Sequence, residues 1–317
     1  MRYLKKTILL PIVIVAALSV IVYYLFDIGK LLHAPKVRPN VNVADFSGEY
    51  NADNEIKEAL SWLKENDSKA MANVITNNEA ATRNQVTLTF DGLAERSVIQ
   101  RVLDLLKKHD MKAIFFVDAL QASEDPQTID NILKEGHQVE SYTFAGMAHM
   151  ERLPIEQLVR DFCRSQKVIK VTTGNQAKFL KCNDTVYDEK LLRAAKASGF
   201  ESVVMNDVIM DVVSLSSIGS IDELVAGVVR PGSIISVKLI EFPEEIKPEE
   251  MIVDLRPAID RQPGIKKLPT KISSSESIIV SAVEKLLASL EKASYSTIDT
   301  EYVGGSSRAF IPATVGR

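Results

Sequence analysis

From Val86 onward the chain switches period again and again, and this alternation constrains its fold more than any other feature. Short runs of β-branched or aromatic residues occur at Val86–Phe90, Ala113–Val117, Gln138–Phe144, Ala177–Cys182, Ser202–Met205, Ser233–Leu239 and Tyr295–Ile298. Between them lie stretches with apolar residues every three or four positions: Ser97–Lys108, Thr128–Lys134, Ile155–Ile169, Asp188–Ala197, Ile221–Val229 and Glu276–Lys292. A strand can return to a parallel neighbour only through a crossover of a dozen or more residues, and helices of this length supply it. The pattern predicts a parallel α/β fold, with a barrel as the economical closure. Arg256–Lys271, with its prolines set among charges, reads as a long surface loop.

Ahead of the alternation the chain changes character. Ile8–Phe26 is apolar or weakly polar throughout, and at about 1.5 Å per residue it is long enough to cross a bilayer core. Arg2, Lys5 and Lys6 precede it, which places the N-terminus in the cytoplasm by the positive-inside rule. A cleaved signal peptide is the rival reading, but no small-x-small site follows closely, and Leu32-His-Ala34 runs into Pro35. The expectation is a single N-terminal transmembrane helix with the body outside the membrane. Residues 1–30 are then tip and anchor, 31–84 a stalk with a short amphipathic helix at Asn54–Glu65, 85–303 the barrel and 304–317 a tail. A net charge of −4 offers no polycationic footprint, so nucleic acid is not an expected partner. Aromatics make up only 6% of the chain, thin for stacking on sugars. Cys163 and Cys182 are the only thiols, and either a disulfide or two buried free thiols suits them.

In parallel barrels the C-terminal strand ends carry the site. Those ends read Asp91, Asp118, Tyr142, Cys182, Asp207, Asp211, Lys238 and Asp299. Several carboxylates on one rim suit a metal, but polar residues also collect there because loops begin there. There are four histidines: His33, His109, His137 and His149.

Val86-Thr-Leu-Thr-Phe-Asp91, Lys112-Ala-Ile-Phe-Phe-Val, Gly136-His137 and Arg230-Pro-Gly-Ser-Ile-Ile keep a common order and spacing. Together, over roughly Val86 to Val303, they resemble the polysaccharide deacetylase (NodB-homology) family. The resemblance implies a distorted (β/α)7 TIM-like barrel. It also implies removal of acetyl groups from sugars by a metal-bound water: one aspartate as base, a second aspartate and two histidines on the metal, and a histidine as acid. A divalent cation such as Zn lowers the pKa of its water and polarises the carbonyl.

Position by position, Asp91 falls at the base, and Gly92 falls where the metal-binding aspartate belongs. The two ligand histidines correspond to Tyr142 and Gly146. The R-P-P-Y-G motif corresponds to Leu180-Lys-Cys-Asn-Asp184, which removes the arginine that orients the base. The acid histidine corresponds to Lys238, and Asp211 matches an aspartate of the fourth motif. His137 matches a non-ligand histidine and is expected to be packed and hydrogen-bonded; His109 and His33 are expected at the surface. His149 reaches the rim at most.

The reading that follows is a membrane-anchored, extracytoplasmic, catalytically inactive relative with no resident cofactor. It binds or scaffolds at the cell envelope, with an envelope glycan or envelope protein as partner. Asp91 is its residual base position, with Tyr142, Asp184, Asp211 and Lys238 as candidate contacts. Lys238 either pairs with Asp91 in place of the lost cation or extends to solvent. The alternatives are an active esterase with a divalent metal held by Asp91 with Asp118 or Asp207, and a purely structural stalk protein.

Overall fold

The computed structural model describes residues 48–66, 70–79, 81, 84–211, 215, 220–239 and 273–298. The apolar run Ile8–Phe26, the prolines of Ala34–Asn42, the Arg256–Lys271 segment, His33, Asp299 and the tail 304–317 lie outside the described residues. No helix among the described residues is long and apolar enough to cross a membrane.

In chain order the elements are α1 (Asp53–Glu65), β1 (Asn73–Ile75), β2 (Gln85–Asp91), α2 (Arg96–Lys108), β3 (Ile114–Val117), α3 (Ala119–Glu124) and α4 (Pro126–Lys134). Then come β4 (Gln138–Ser141), α5 (Ile155–Thr173), β5 (Phe179–Leu180), α6 (Glu189–Ala197), β6 (Ser202–Val204) and β7 (Val208–Asp211). The last are α7 (Ile221–Val228), β8 (Ile234–Lys238), α8 (Ser273–Lys292) and β9 (Ser296–Thr297). The strands pair in the order β1-β6-β5-β4-β3-β2-β8-β7, every pair parallel, with β9 joined to β2.

That order forces the sheet to curl. From β6 to β7 the path crosses six strand intervals, roughly 29 Å if the sheet were flat. The chain covers the distance with only residues 205–207, which can span about 14 Å. The sheet is therefore a curled half-barrel wrapped by helices, consistent with the distorted (β/α)7 barrel expected from the sequence.

Alternation along the strands separates two cores. Val86, Leu88, Phe90, Phe115, Val117, Ile235 and Val237 pack against helix residues such as Val102, Leu106 and Leu158. The other face, with Ile114, Phe116, Tyr142, Phe179, Val204 and Ile234, forms a second cluster inside the curl. Thr89 and Asp91 belong to this inner face, because their register partners Ile114 and Phe116 do. Polar side chains on the inner face are thus held where the strands end.

Two strands were not expected. β1 lies in the segment read as stalk, yet Asn73, Val74 and Ile75 pair with Ser202, Val203 and Val204, so that segment contributes to the sheet. The expected amphipathic helix forms as α1, with Ile56 and Ala59 buried. β7 continues the run of β6 after the polar interruption Asn206-Asp207 and hydrogen-bonds to β8.

Candidate functional site: a buried lysine on the aspartate at the barrel mouth

Parallel register assembles the site. Asp91 ends β2 opposite Lys238 of β8, and Lys238 stands opposite Asp211 of β7, so the three share one row across neighbouring strands. One step down the same face, Thr89 stands opposite Ser236. From the far side of the curl, the chain leaving β5 sends Lys181 into this row.

Lys181 is the centre of the arrangement. Its Nζ lies 2.7 Å from Asp91 Oδ1, 3.0 Å from Thr89 Oγ1 and 3.0 Å from Ser236 Oγ. An ammonium has three N–H groups, and each has an oxygen here. The Ser236 hydroxyl donates in turn to Asp91 Oδ2, so both carboxylate oxygens are engaged. The Phe116 ring lies 5.0 Å from Nζ, at cation–π distance. Asp91 is 0% exposed and Lys181 1%. Burial pulls the Lys181 ammonium below its ordinary range, and the Asp91 carboxylate beside it opposes that pull.

Of the two readings of Lys238, pairing with Asp91 or extending to solvent, the pairing does not hold. No ion pair joins the two. Lys238 is half-buried and its Nζ donates at 3.3 Å to Asn183 Oδ1. The motif correspondence set Lys238 beside Asp91, and the two are register partners, but the Lys181 ammonium already occupies the carboxylate and repels a second positive charge. The motif reading is corrected with it. Leu180, set against the family's arginine, faces the helices at 0% exposure. Strand alternation puts the next residue inside, so the chain keeps a cation on Asp91 one position later.

Tyr142 is buried, and its hydroxyl donates to Asn183 Oδ1 at 3.3 Å. Burial first, then Asp91 nearby, pushes the phenol well above its ordinary range, so it keeps its proton. Asn183 thereby joins Tyr142 to Lys238, a role the sequence reading did not give it. The Asp184 side chain is exposed, and its carbonyl accepts from the His149 N–H. Asp211 is placed by register alone.

Other strand-end candidates are employed elsewhere. Asp118 caps α3 by accepting from the Gln121 N–H, and Asp207 accepts from the Ser233 hydroxyl. Cys163 and Cys182 are both free and buried, so no disulfide joins them. Burial pushes the Cys163 thiol up to about 11 and raises that of Cys182. His137 is packed as expected, its Nδ1 accepting from the Ala113 N–H, and burial holds it near 4. His109, expected at the surface, instead meets Glu291 of α8 at 2.7 Å with its side chain 7% exposed. The inner face adds a carboxyl the sequence reading passed over: Glu140 accepts from the Phe179 N–H at 2.7 Å, and burial raises it to about 7.

The rim loops are cross-linked by hydrogen bonds and carry strained backbone. The loops after β4 and β5 are joined by the Ala148–Asn183 bridge, the His149 N–H to Asp184 carbonyl bond and the Met150 N–H to Thr185 hydroxyl bond. Three non-glycine residues in these loops have positive φ: Thr143 at 62°, His149 at 57° and Asp184 at 38°. Such conformations cost of order 1–3 kcal/mol each and persist where surrounding structure enforces them.

The residues present do not fit a divalent cation. Gly92 and Gly146 offer no donor, and their φ values of +84° and +69° lie where a side chain is strained. Tyr142 is a protonated phenol, and Asp91 is engaged on both oxygens. Among the described residues no three His, Cys, Asp or Glu side chains converge for a metal.

Comparison with known proteins agrees with the fold and the sequence resemblance. Residues 78–203 match the family model described as polysaccharide deacetylase. The peptidoglycan-N-acetylglucosamine deacetylase PgdA of Listeria monocytogenes is 32% identical over 96 residues, covering 30% of this chain and 20% of that protein. The peptidoglycan-N-acetylmuramic acid deacetylase PdaA of Bacillus subtilis is 28% identical over 130 residues, 40% of this chain and 48% of that protein. The chain thus spans a fifth to a half of these relatives. Among solved structures, a CE4 family pseudoenzyme from Bacillus anthracis superposes with a TM-score of 0.52 at 16% identity, over 73% of this chain and 68% of that one. The Bc1960 peptidoglycan N-acetylglucosamine deacetylase gives 0.53 at 18% identity, over 77% and 96%. At these identities the superpositions speak for the fold.

Proposed function

We propose that this chain, whose residues 78–203 match the polysaccharide deacetylase family model, is a non-hydrolytic member that binds cell-envelope glycan at its barrel mouth. One observation carries the reading. Asp91, at the position of the base, is closed off by Lys181 on one oxygen and Ser236 on the other, at 0% exposure. A base must reach the proton it abstracts, and the lone pairs left on a carboxylate with no exposure face protein rather than solvent. The residues set against the family's metal ligands, Gly92, Tyr142 and Gly146, add nothing that would gather a cation, and no step through a metal follows from them.

Binding remains open to the mouth. Half-buried Lys238, Asn183 and the stiff loops after β4 and β5 offer polar groups of fixed direction, which suits the hydroxyl and amide groups of an acetylated sugar. The relatives named for peptidoglycan support an envelope glycan as the ligand class, with Asp184 and Asp211 as further proposed contacts. The apolar run Ile8–Phe26 behind Arg2, Lys5 and Lys6 supports a membrane-anchored protein with its barrel outside the cytoplasm.

The test is made on the purified chain, with metal content, acetate release from peptidoglycan and retention on insoluble peptidoglycan measured side by side. Retention without stoichiometric metal and without acetate is the expected result. Acetate release that disappears in Asp91→Ala would overturn the proposal in favour of an active esterase. Absence of retention would remove the glycan.

A further inference from the structure

We infer that the barrel mouth is a monovalent-cation site that the chain fills with its own ammonium. The inference rests on the preceding reading that Asp91 does not work as a base, and it names what the aspartate does instead.

The cradle does not depend on the lysine. Its oxygens belong to two neighbouring strands, Thr89 and Asp91 from β2 and Ser236 from β8, fixed by the backbone register Thr89–Ser236 and Asp91–Lys238. The Ser236 hydroxyl turns its hydrogen toward Asp91 Oδ2, which leaves its lone pairs for a cation. Phe116 of β3 closes one side with its ring. Lys181 enters from outside this set, after β5 and 90 positions away from Asp91 in sequence. Three oxygen acceptors at 2.7, 3.0 and 3.0 Å match the three N–H groups of an ammonium. One carboxylate and two hydroxyls are too few anionic ligands for a small divalent ion, which calls for several deprotonated groups. The ligand class is therefore a primary ammonium.

The experiment detaches the cation from the chain. Lys181→Ala is made together with Lys238→Met, because Lys238 is the other ammonium aligned with Asp91 among the described residues. Thermal unfolding of the full chain is followed with increasing n-propylammonium, with tetramethylammonium as an equally charged control that has no N–H to donate. A saturable rise in Tm is expected, roughly 3–6 °C at tenfold the half-saturating concentration. It should be absent in the parent protein and absent with tetramethylammonium. No rise, or an equal rise in the parent, overturns the inference. Should the alanine variant not fold, Lys181→Met is unfolded in urea with and without Asp91→Asn. Recovery of stability by the second substitution supports a buried carboxylate that lacks its cation, and no recovery overturns it. Glycan plays no part in these readouts, so the inference and the proposed function fail separately.

Discussion

Asp91→Asn should be far more damaging to this fold than loss of a solvent-facing base would be. The substitution keeps the shape of the side chain and removes its charge. Lys181, 1% exposed, would then hold a buried ammonium with only Thr89, Ser236 and the Phe116 ring for company. Breaking a buried pair by removing one partner costs about 3–5 kcal/mol, because the remaining charge is left uncompensated. For a domain of this size, 1 kcal/mol moves Tm by about 2–4 °C, so a fall of roughly 6–20 °C is expected. Urea unfolding at neutral pH should show a lower midpoint with an unchanged slope, the mark of lost stability rather than a changed denatured state. If the carboxylate were an accessible base waiting for a metal, its replacement would be neutral or stabilising, as is common where catalytic groups are removed. A measured loss under about 1 kcal/mol would refute the closed-pair description.

Two further outcomes follow from other parts of the structure. Glu140, raised to about 7 by burial, keeps in the folded state a proton that the unfolded chain has released. The stability that this proton supplies is complete below the ordinary carboxylate range and is lost as pH rises through about 7. Glu140→Gln should therefore gain on the parent by up to roughly 3 kcal/mol between pH 5 and pH 8 in urea unfolding, and a difference independent of pH would refute this. Asp188 caps α6 by accepting from the Leu191 N–H at 2.8 Å, so Asp188→Ala should cost about 1 kcal/mol by the same assay.

The elements that sequence reasoning found are those with a strong period. β2, β3 and β8 are mostly apolar or β-branched, and α2 and α5 place apolar residues at helical spacing over many turns. β1 escaped because three residues in polar surroundings carry no period, and β7 because Asn206-Asp207 interrupts its run. At the site, Asp91 was legible from its motif, and the placement of Lys238 beside it was sound, since the two are register partners. Lys181 was not legible in the same way. Which of two adjacent residues, Leu180 or Lys181, faces inward depends on the phase of a two-residue strand, and nothing within that strand fixes the phase. Phe179 inside, Leu180 outside and Lys181 inside was the available signal, and it needed the alternation to be followed past the end of β5.

A buried ion pair is a poor device for stability alone, because well-packed apolar residues of similar volume are commonly neutral or stabilising by about 1–4 kcal/mol. The Asp91–Lys181 pair and the positive-φ residues of the rim therefore call for a role that stability does not supply. The proposed role is orientation: the fixed charge of Lys181 repels Lys238 from Asp91, leaving its ammonium on Asn183 at the mouth. Asp91→Leu combined with Lys181→Met separates the two roles. The double variant removes both charges and leaves no uncompensated partner, so its unfolding midpoint should equal or exceed that of the parent. Retention on peptidoglycan should nevertheless fall, because the Lys181 charge that turns the Lys238 ammonium toward Asn183 is then gone. A stable double variant with undiminished retention would show that glycan binding does not use the mouth, and a strongly destabilised one would show that the pair is needed for folding after all.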